Sequence, residues 1–131
     1  MQKVVLDVGN CGPDHAAIAS AFQQWFHAEV LQADQWSDAR ALLLTRQIDL
    51  VLVNRKLDID YSDGIEIIRA MKADPQFRAV PVMLVTNYAE HQQAAVAIGA
   101  EVGFGKLELR SPETKSRLER VLCASVAGGG S

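Results

Sequence analysis

The sequence predicts an α/β fold in which one parallel β-sheet is covered by helices on both faces. Residues 50–53 form an unbroken apolar run of strand length between two segments with helical patterns. A strand that is apolar on both faces fits the middle of such a sheet. Four other short strand-like runs alternate with helical patterns along the 131 residues, which indicates β-α-β units in a single domain.

The first part of the chain predicts two strands separated by a helix. Residues 4–8 form the first strand, which ends at the turn signal of residues 9–13. The helix begins near Pro13, because proline suits a first helical position. Its core-facing residues recur at helical spacing and are Ile18, Phe22, Trp25 and Phe26. Residues 28–33 alternate in polarity and predict a short strand near an edge of the sheet.

A second helix precedes the central strand. Asp34 or Ser37 is expected to cap it, since both side chains can accept a hydrogen bond from the first turn. The helix extends to about Arg46, and its inward residues are Ala39, Leu42 and Leu43. After the central strand comes a polar loop of residues 55–64.

The second half of the chain continues the alternation. A third helix over about residues 64–73 has an apolar face of Ile65, Ile68 and Met71. Residues 80–86 form the fourth strand. An alanine-rich helix follows over about residues 90–98, and Gly99 ends it as a left-handed cap.

The last unit is a strand at residues 101–104 and a helix that begins with a capping serine. Ser111, Pro112 and Glu113 supply its cap, first residue and first-turn acid. Its apolar side consists of Leu118, Val121 and Leu122. Five such units predict a flavodoxin-like three-layer αβα sandwich with strand order 2-1-3-4-5. Residues 1–126 form this domain, and residues 127–131 form a flexible glycine-rich tail.

Composition restricts the class of protein. The chain is 49% hydrophobic and 22% charged, with a net charge of −3, so nucleic acid is not an expected partner. No apolar run reaches the roughly 18–20 residues that a membrane span needs. Asp7 interrupts the only candidate signal-peptide core. Cys11 and Cys123 have no ligand spacing, and we expect them to be reduced thiols in a cytoplasmic protein.

In an open parallel sheet, the functional residues follow the carboxyl ends of the strands. The residues expected to meet there are Gly9, Asn10, Cys11, Asn54, Thr86, Asn87 and Lys106. His15, His27 and His91 are scattered, without ligand spacing or an evident carboxylate partner, and are expected at the surface or rim. Asp58, Asp60 and Asp63 lack the glycine and glutamate spacing of a calcium loop.

Three segments resemble the receiver domain of two-component response regulators. They are residues 58–69, which run from the polar loop into the third helix, residues 80–86, and Ala97-x-Gly99-Ala100-x-x-x-Phe104-x-Lys106. Together they carry the resemblance over about residues 3–124. The resemblance implies the flavodoxin-like fold and a role in phosphorelay signal transduction. It identifies Thr86, Phe104 and Lys106 as equivalents of the family's switch residues.

The same resemblance fails at the chemical centre. It assigns the phospho-acceptor position to Asn54, and the acid pair that holds Mg²⁺ to the region Gly9, Asn10 and Cys11. A carboxamide oxygen is neutral and is a far weaker nucleophile than a carboxylate. Mg²⁺ needs carboxylate ligands, and this region has none. We therefore expect no catalytic residue, no metal and no cofactor. Asn54 is expected to hydrogen-bond Lys106 and loop amides.

The sequence favours a pseudo-receiver, which is a protein-interaction module and not an enzyme. In the family, the fourth and fifth helices with the fifth strand form the dimer or partner surface. The residues implied for that surface are Ala94, Ala97, Ile98 and Phe104, with the outer side of residues 113–126. A homodimer through this surface and an unidentified protein partner are both open, and no membrane contact is expected. The alternative is a phosphorelay receiver or a small phosphate-handling enzyme that uses Cys11, Thr86 and Lys106.

Overall fold

The computed structural model describes residues 2–130, with side chains as far as Cys123. The strands in this part are β1 (Val4–Val8), β2 (Glu29–Ala33), β3 (Leu50–Asn54), β4 (Val82–Val85) and β5 (Glu101–Phe104). The helices are α1 (Gly12–Phe26), α2 (Trp36–Thr45), α3 (Ile65–Ala73), α4 (Ala89–Ala97) and α5 (Pro112–Gly130), with a 3₁₀ turn at Lys106–Glu108. The tail predicted at residues 127–131 lies outside the described side chains and stays a prediction.

The strands pair in parallel in the order β2-β1-β3-β4-β5. The predicted flavodoxin-like architecture is therefore confirmed. β3 lies in the centre of the sheet, and Val51 pairs with Leu6 on β1 and with Val82 on β4. In the described part of the chain, no helix is long and apolar enough to cross a membrane.

The central strand contributes to two cores, one on each face of the sheet. Val51 and Val53 belong to the core that α2, α3 and α4 cover. Leu50 and Leu52 belong to the core that α1 and α5 cover. All four side chains are fully buried, as the unbroken apolar run predicts. At about 25 cal/mol per Å² of apolar surface, burial on both faces makes disruption of β3 costly.

Several local predictions need correction. α2 is capped at Gln35 without a side-chain hydrogen bond, so neither Asp34 nor Ser37 caps it. On α3, Ile67 is buried and Ile65 is only half-buried, because the helix is rotated relative to the predicted face. The cap at Ser111 is confirmed, since the Thr114 N–H donates to the Ser111 hydroxyl at 3.2 Å.

The turn after β1 touches the loop after β3, which brings the two halves of the candidate site together. Gly9 has a φ of +83°, and a side chain there would collide with Leu57. The carbonyl of Gly9 accepts a hydrogen bond of 2.9 Å from the Asp58 N–H. Only glycine combines this left-handed backbone with so close an approach.

Candidate functional site

A small cavity lies at the carboxyl ends of β3, β4 and β5. Its volume is about 150 Å³. Its lining residues are Asn54, Arg55, Lys56, Val85, Thr86, Asn87, Tyr88 and Lys106. The structure thus brings together Asn54, Thr86 and Lys106, as the sequence predicts. The lining includes three basic side chains and no acidic one, but Lys56 and Lys106 are each paired with an aspartate outside the lining.

Asn54 ends β3 with a half-buried side chain that acts as a hydrogen-bond donor. Its Nδ2 donates to the carbonyl of Lys56 at 2.8 Å and, more weakly, to that of Gly9 at 3.4 Å. Both amide protons are therefore directed at backbone carbonyls. A carboxylate at this position would place an acceptor oxygen opposite carbonyl oxygens that are themselves acceptors. The local backbone thus suits an amide better than a carboxylate.

Lys106 does not bond Asn54, so that prediction is wrong. Its Nζ lies 2.7 Å from Oδ2 of Asp14, in the first turn of α1. The hydrogen bond from Lys106 lowers the pKa of Asp14, with a smaller contribution from a hydrogen bond that the Cys11 thiol donates. Lys106 is thereby directed toward α1.

A buried carboxylate, which the sequence reasoning did not identify as such, lies behind this site. The Asp7 side chain is 0% exposed, and its two oxygens lie 2.5 Å from Asn10 Nδ2 and 2.8 Å from His15 Nδ1. Burial raises the pKa of Asp7, while the hydrogen bonds from Asn10 and His15 act against that rise. The expectation that His15 has no carboxylate partner is wrong. The sequence did contain a signal for this contact. Asp7 is an acid within an otherwise apolar strand, and a buried charge requires a partner.

The residues that the resemblance assigns to the acid pair make structural contacts. Asn10 is 2% exposed and donates to Asp7, and its backbone carbonyl accepts a 3.4 Å hydrogen bond from Gln32. Its side-chain oxygen has no partner among the described residues. Cys11 is the N-cap residue of α1 and is half-buried. Gly9, Asn10 and Cys11 line none of the cavity.

The residues near the ends of β1 and β3 do not fit the divalent cation that the resemblance to receiver domains implies. Asp7 already pairs with His15, and Asp14 already pairs with Lys106. Among the described residues, no group of three or more His, Cys, Asp or Glu side chains is arranged to hold a metal ion.

Thr86 and its neighbours complete the rim of the cavity. Thr86 is buried, and its hydroxyl accepts a hydrogen bond of 3.2 Å from the Tyr88 N–H. The Arg55 guanidinium lies over the exposed Tyr88 ring, 5.6 Å from its centroid. Lys56 Nζ lies 2.5 Å from Oδ1 of Asp63. The arrangement positions donors and positive charges, and none of these groups is an anionic nucleophile.

A larger groove of about 660 Å³ lies between α4, β5 and α5. Val96 and Val102 are part of its lining and are 40% and 49% exposed. Of the residues predicted for a partner surface, Ala94 and Ala97 are exposed and Ile98 is half-buried. Phe104, also predicted there, is almost fully buried, so it contributes only to the floor of the groove.

Gln92 fixes α4 against the sheet beside this groove. Its Nε2 donates to the Leu84 carbonyl at 2.9 Å, and its Oε1 accepts from the Gly103 N–H at 2.9 Å. This polar bridge compensates for an α4 helix with Ala95 as its only fully buried residue. The outer surface of α4 is exposed.

Solved structures of receiver domains share this fold. The chemotaxis response regulator CheY4 of Vibrio cholerae has 22% sequence identity and a TM-score of 0.73, covering 93% of this chain and 100% of that chain. The receiver domain of a DNA-binding response regulator from Colwellia psychrerythraea 34H has 22% identity and a TM-score of 0.76, covering 92% and 98%. The receiver domain of the Francisella response regulator 1452 has 16% identity and a TM-score of 0.77, covering 95% and 99%.

The class that the fold defines is thus the flavodoxin-like α/β proteins. Within that class, the chain has the fold of response-regulator receiver domains. No protein-family model matches the sequence, and no curated protein matches it. At these identities the likeness extends to the fold, and function is argued from the residues of the site.

Proposed function

We propose that this chain is an atypical response-regulator receiver, a pseudo-receiver that acts in signal transduction without being phosphorylated. The single observation that carries the proposal is Asn54, at the position where the resemblance assigns the phospho-acceptor. Its amide nitrogen is directed at two backbone carbonyls, 2.8 and 3.4 Å away. The backbone that holds this side chain is therefore suited to a hydrogen-bond donor, whereas phosphoryl acceptance needs an anionic oxygen.

The surrounding charges support the same function. Acyl-phosphate chemistry in receivers depends on a divalent cation, and the acid-pair positions carry Gly9, Asn10 and Cys11. The nearest carboxylates, Asp7 and Asp14, are already paired with His15 and Lys106. The module we propose is therefore not an enzyme and binds no metal or cofactor.

The proposed output surface is the groove between α4, β5 and α5. Its exposed valines, Val96 and Val102, line it together with the exposed Ala97, whereas Ala94 is exposed on the same helix outside the lining. Small side chains on α4 allow the backbone of another chain to approach closely. We propose that a protein partner or a second copy of this chain docks here. The reduced cysteines and the mild negative charge favour a cytoplasmic location and a protein ligand, not nucleic acid.

The deciding experiment is incubation with Mg²⁺ and acetyl phosphate, followed by intact-protein mass spectrometry. We expect no phosphoryl adduct on this chain, while a receiver with an acceptor aspartate is labelled in a parallel reaction. A stable adduct that disappears in Asn54→Ala would overturn the proposal. An adduct that persists in Asn54→Ala and disappears in Cys11→Ser would support the alternative enzyme that uses Cys11, Thr86 and Lys106.

A further inference from the structure

The loop between β3 and α3, residues 55–64, is held in one shape by its own hydrogen bonds. The Tyr61 N–H donates to the Leu57 carbonyl at 2.7 Å, and the Leu57 N–H donates to the Ser62 carbonyl at 2.9 Å. Tyr61 has a φ of +59°, a left-handed conformation that is unfavourable for a tyrosine. The loop thus maintains an unfavourable backbone conformation within a hydrogen-bonded structure.

This loop presents large apolar side chains to solvent. Ile59 is 54% exposed and Tyr61 is 75% exposed. Asp60 and Ser62, which alternate with these two residues along the loop, line a groove of about 530 Å³. The lining also includes the apolar side chains of Trp36, Leu57 and Ile67. A preorganised loop with an exposed tyrosine next to an apolar groove is the kind of surface that binds a partner with little loss of entropy.

The lining of the groove is acidic. Asp60, Asp63 and Glu66 all contribute to it. Hydrogen bonds from Ser62 lower the pKa of Asp60, which has no basic partner in the described part of the chain. Asp63 pairs with Lys56, and Glu66 lies 3.5 Å from Arg69, but these pairs are exposed and easily exchanged. The rim therefore offers negative charge to an incoming cation.

We propose that this groove docks a basic, amphipathic segment of a partner protein. An apolar side chain of the segment fills the space beside Trp36 and Ile67, and its lysine or arginine residues face Asp60 and Glu66. The inference rests on the proposed function, because it assumes that the module works by binding another protein. The surface is separate from the groove between α4, β5 and α5, because the two grooves have no lining residue in common.

Trp36 provides a direct readout. In a Trp25→Phe background, Trp36 is the only tryptophan. The probe is a synthetic amphipathic peptide of leucine and lysine, and its counterpart with glutamate in place of lysine is the control. We expect a saturable change in Trp36 fluorescence with the lysine peptide and none with the glutamate peptide. Binding should weaken steeply with salt.

Matched variants test the apolar contacts. Ile59→Ser combined with Tyr61→Ser should weaken binding by about tenfold or more, since exposed tyrosines act as hot spots when they become buried. Leu107→Ser is the control, because Leu107 is 86% exposed and lies in the 3₁₀ turn after β5. All three side chains are more than half exposed, so the variants should keep the fold, as circular dichroism can verify.

A second pair of double variants tests the acidic side chains of the groove. Both double variants lose two negative charges, so their net charges are equal. Asp60→Asn with Glu66→Gln should weaken binding and reduce its salt dependence. Glu108→Gln with Glu119→Gln removes the same charge outside the groove and should leave binding unchanged. Equal weakening by both pairs would reveal general attraction to an acidic protein and would overturn the inference.

Two other outcomes would also overturn it. One is the absence of saturable binding by the lysine peptide. The other is self-association in sedimentation that Ile59→Ser with Tyr61→Ser abolishes, because the occupant would then be a second copy of this chain. Neither outcome affects the phosphorylation test by mass spectrometry, so failure of this inference is distinguishable from failure of the proposed function.

Discussion

Lys106 Nζ lies 2.7 Å from Asp14 Oδ2, and this ion pair joins the end of β5 to the first turn of α1. The residues are 92 positions apart in the chain. Lys106 lines the cavity at the strand ends, and its partner is Asp14 and not Asn54. The anionic partner of Lys106 therefore lies on α1.

Breaking this pair should have only a small effect on stability. Both side chains are about one-third exposed, and pairs of this kind contribute at most about 1 kcal/mol. We expect Asp14→Asn to lower the free energy of unfolding in urea by less than about 1 kcal/mol. Glu29→Gln, which breaks the exposed pair with Arg46, is the control and should cost no more. A loss of several kcal/mol in Asp14→Asn would mean that the pair is a principal structural link.

Asn54→Asp should destabilise the chain and should not create a phosphorylation site. The new carboxylate would oppose the carbonyls of Lys56 and Gly9, which now accept from the amide. We expect a loss of about 1–3 kcal/mol in urea unfolding, the cost of an unmatched polar group. Asn54→Ala is the control and should cost less, because it removes the donor without adding a charge. Efficient labelling of Asn54→Asp by acetyl phosphate with Mg²⁺ would reveal a metal site that the described carboxylates do not form.

The buried Asp7 should leave a pH signature. Burial raises its pKa above 3.8, so the folded protein binds this proton more tightly than the unfolded chain does. The contribution of Asp7 to stability is therefore fully present below about pH 3.8 and is lost as pH rises through the raised pKa.

Comparison with Asp7→Asn isolates this contribution. The difference in the free energy of unfolding, wild type minus variant, should fall as pH rises from 3.8 upward. Asp14, Asp60 and Asp63 have lowered pKa values and act in the opposite direction, but they are present in both proteins and cancel in the difference. Urea unfolding at a series of pH values measures it. A difference that rises with pH would show that the pairing with His15 and Asn10 outweighs the burial of Asp7.

The architecture could be predicted because it depends on averaged patterns. Residues 50–53 are apolar without interruption, and a strand with that pattern has few positions other than the centre of a parallel sheet. α3 shows the limit of such averaging. Ile65, Ile67 and Ile68 are all apolar, so more than one face satisfies the helical period, and packing against β3 decides that Ile67 is buried and Ile65 only half-buried.

The site was predictable in position but not in its hydrogen bonds. The strand ends bring Asn54, Thr86 and Lys106 to one cavity, as parallel topology requires. The partner of Lys106 could not be read from the sequence, because Asp14 and Asn54 follow neighbouring strands and a flexible side chain can turn to either. The contact between Asp7 and His15 depends on the relative orientation of β1 and α1, which periodicity does not encode. The prediction of the α2 cap failed for a similar reason, since the cap depends on the backbone angles of one residue, Gln35.

The turn at Gly9 supplies the last prediction. Gly9 has a φ of +83° and lies against Leu57, so a methyl group there meets both a backbone penalty and a collision. We expect Gly9→Ala to lower the free energy of unfolding by more than the roughly 1–2 kcal/mol of the left-handed backbone alone. Gly12→Ala is the matched control, because a methyl group there has no neighbour within 4 Å and Gly12 has no positive φ.

Gly12 begins α1, where alanine has the better helix propensity, so Gly12→Ala should be neutral or slightly stabilising. Chemical denaturation of both variants, with the fluorescence of Trp25 and Trp36 as the signal, measures the contrast. The Gly9 variant should also loosen the contact with Asp58 and therefore increase amide hydrogen exchange in the loop of residues 55–64. Equal stability of the two variants would mean that the turn after β1 adapts freely, and that the loop after β3 does not depend on it for its shape.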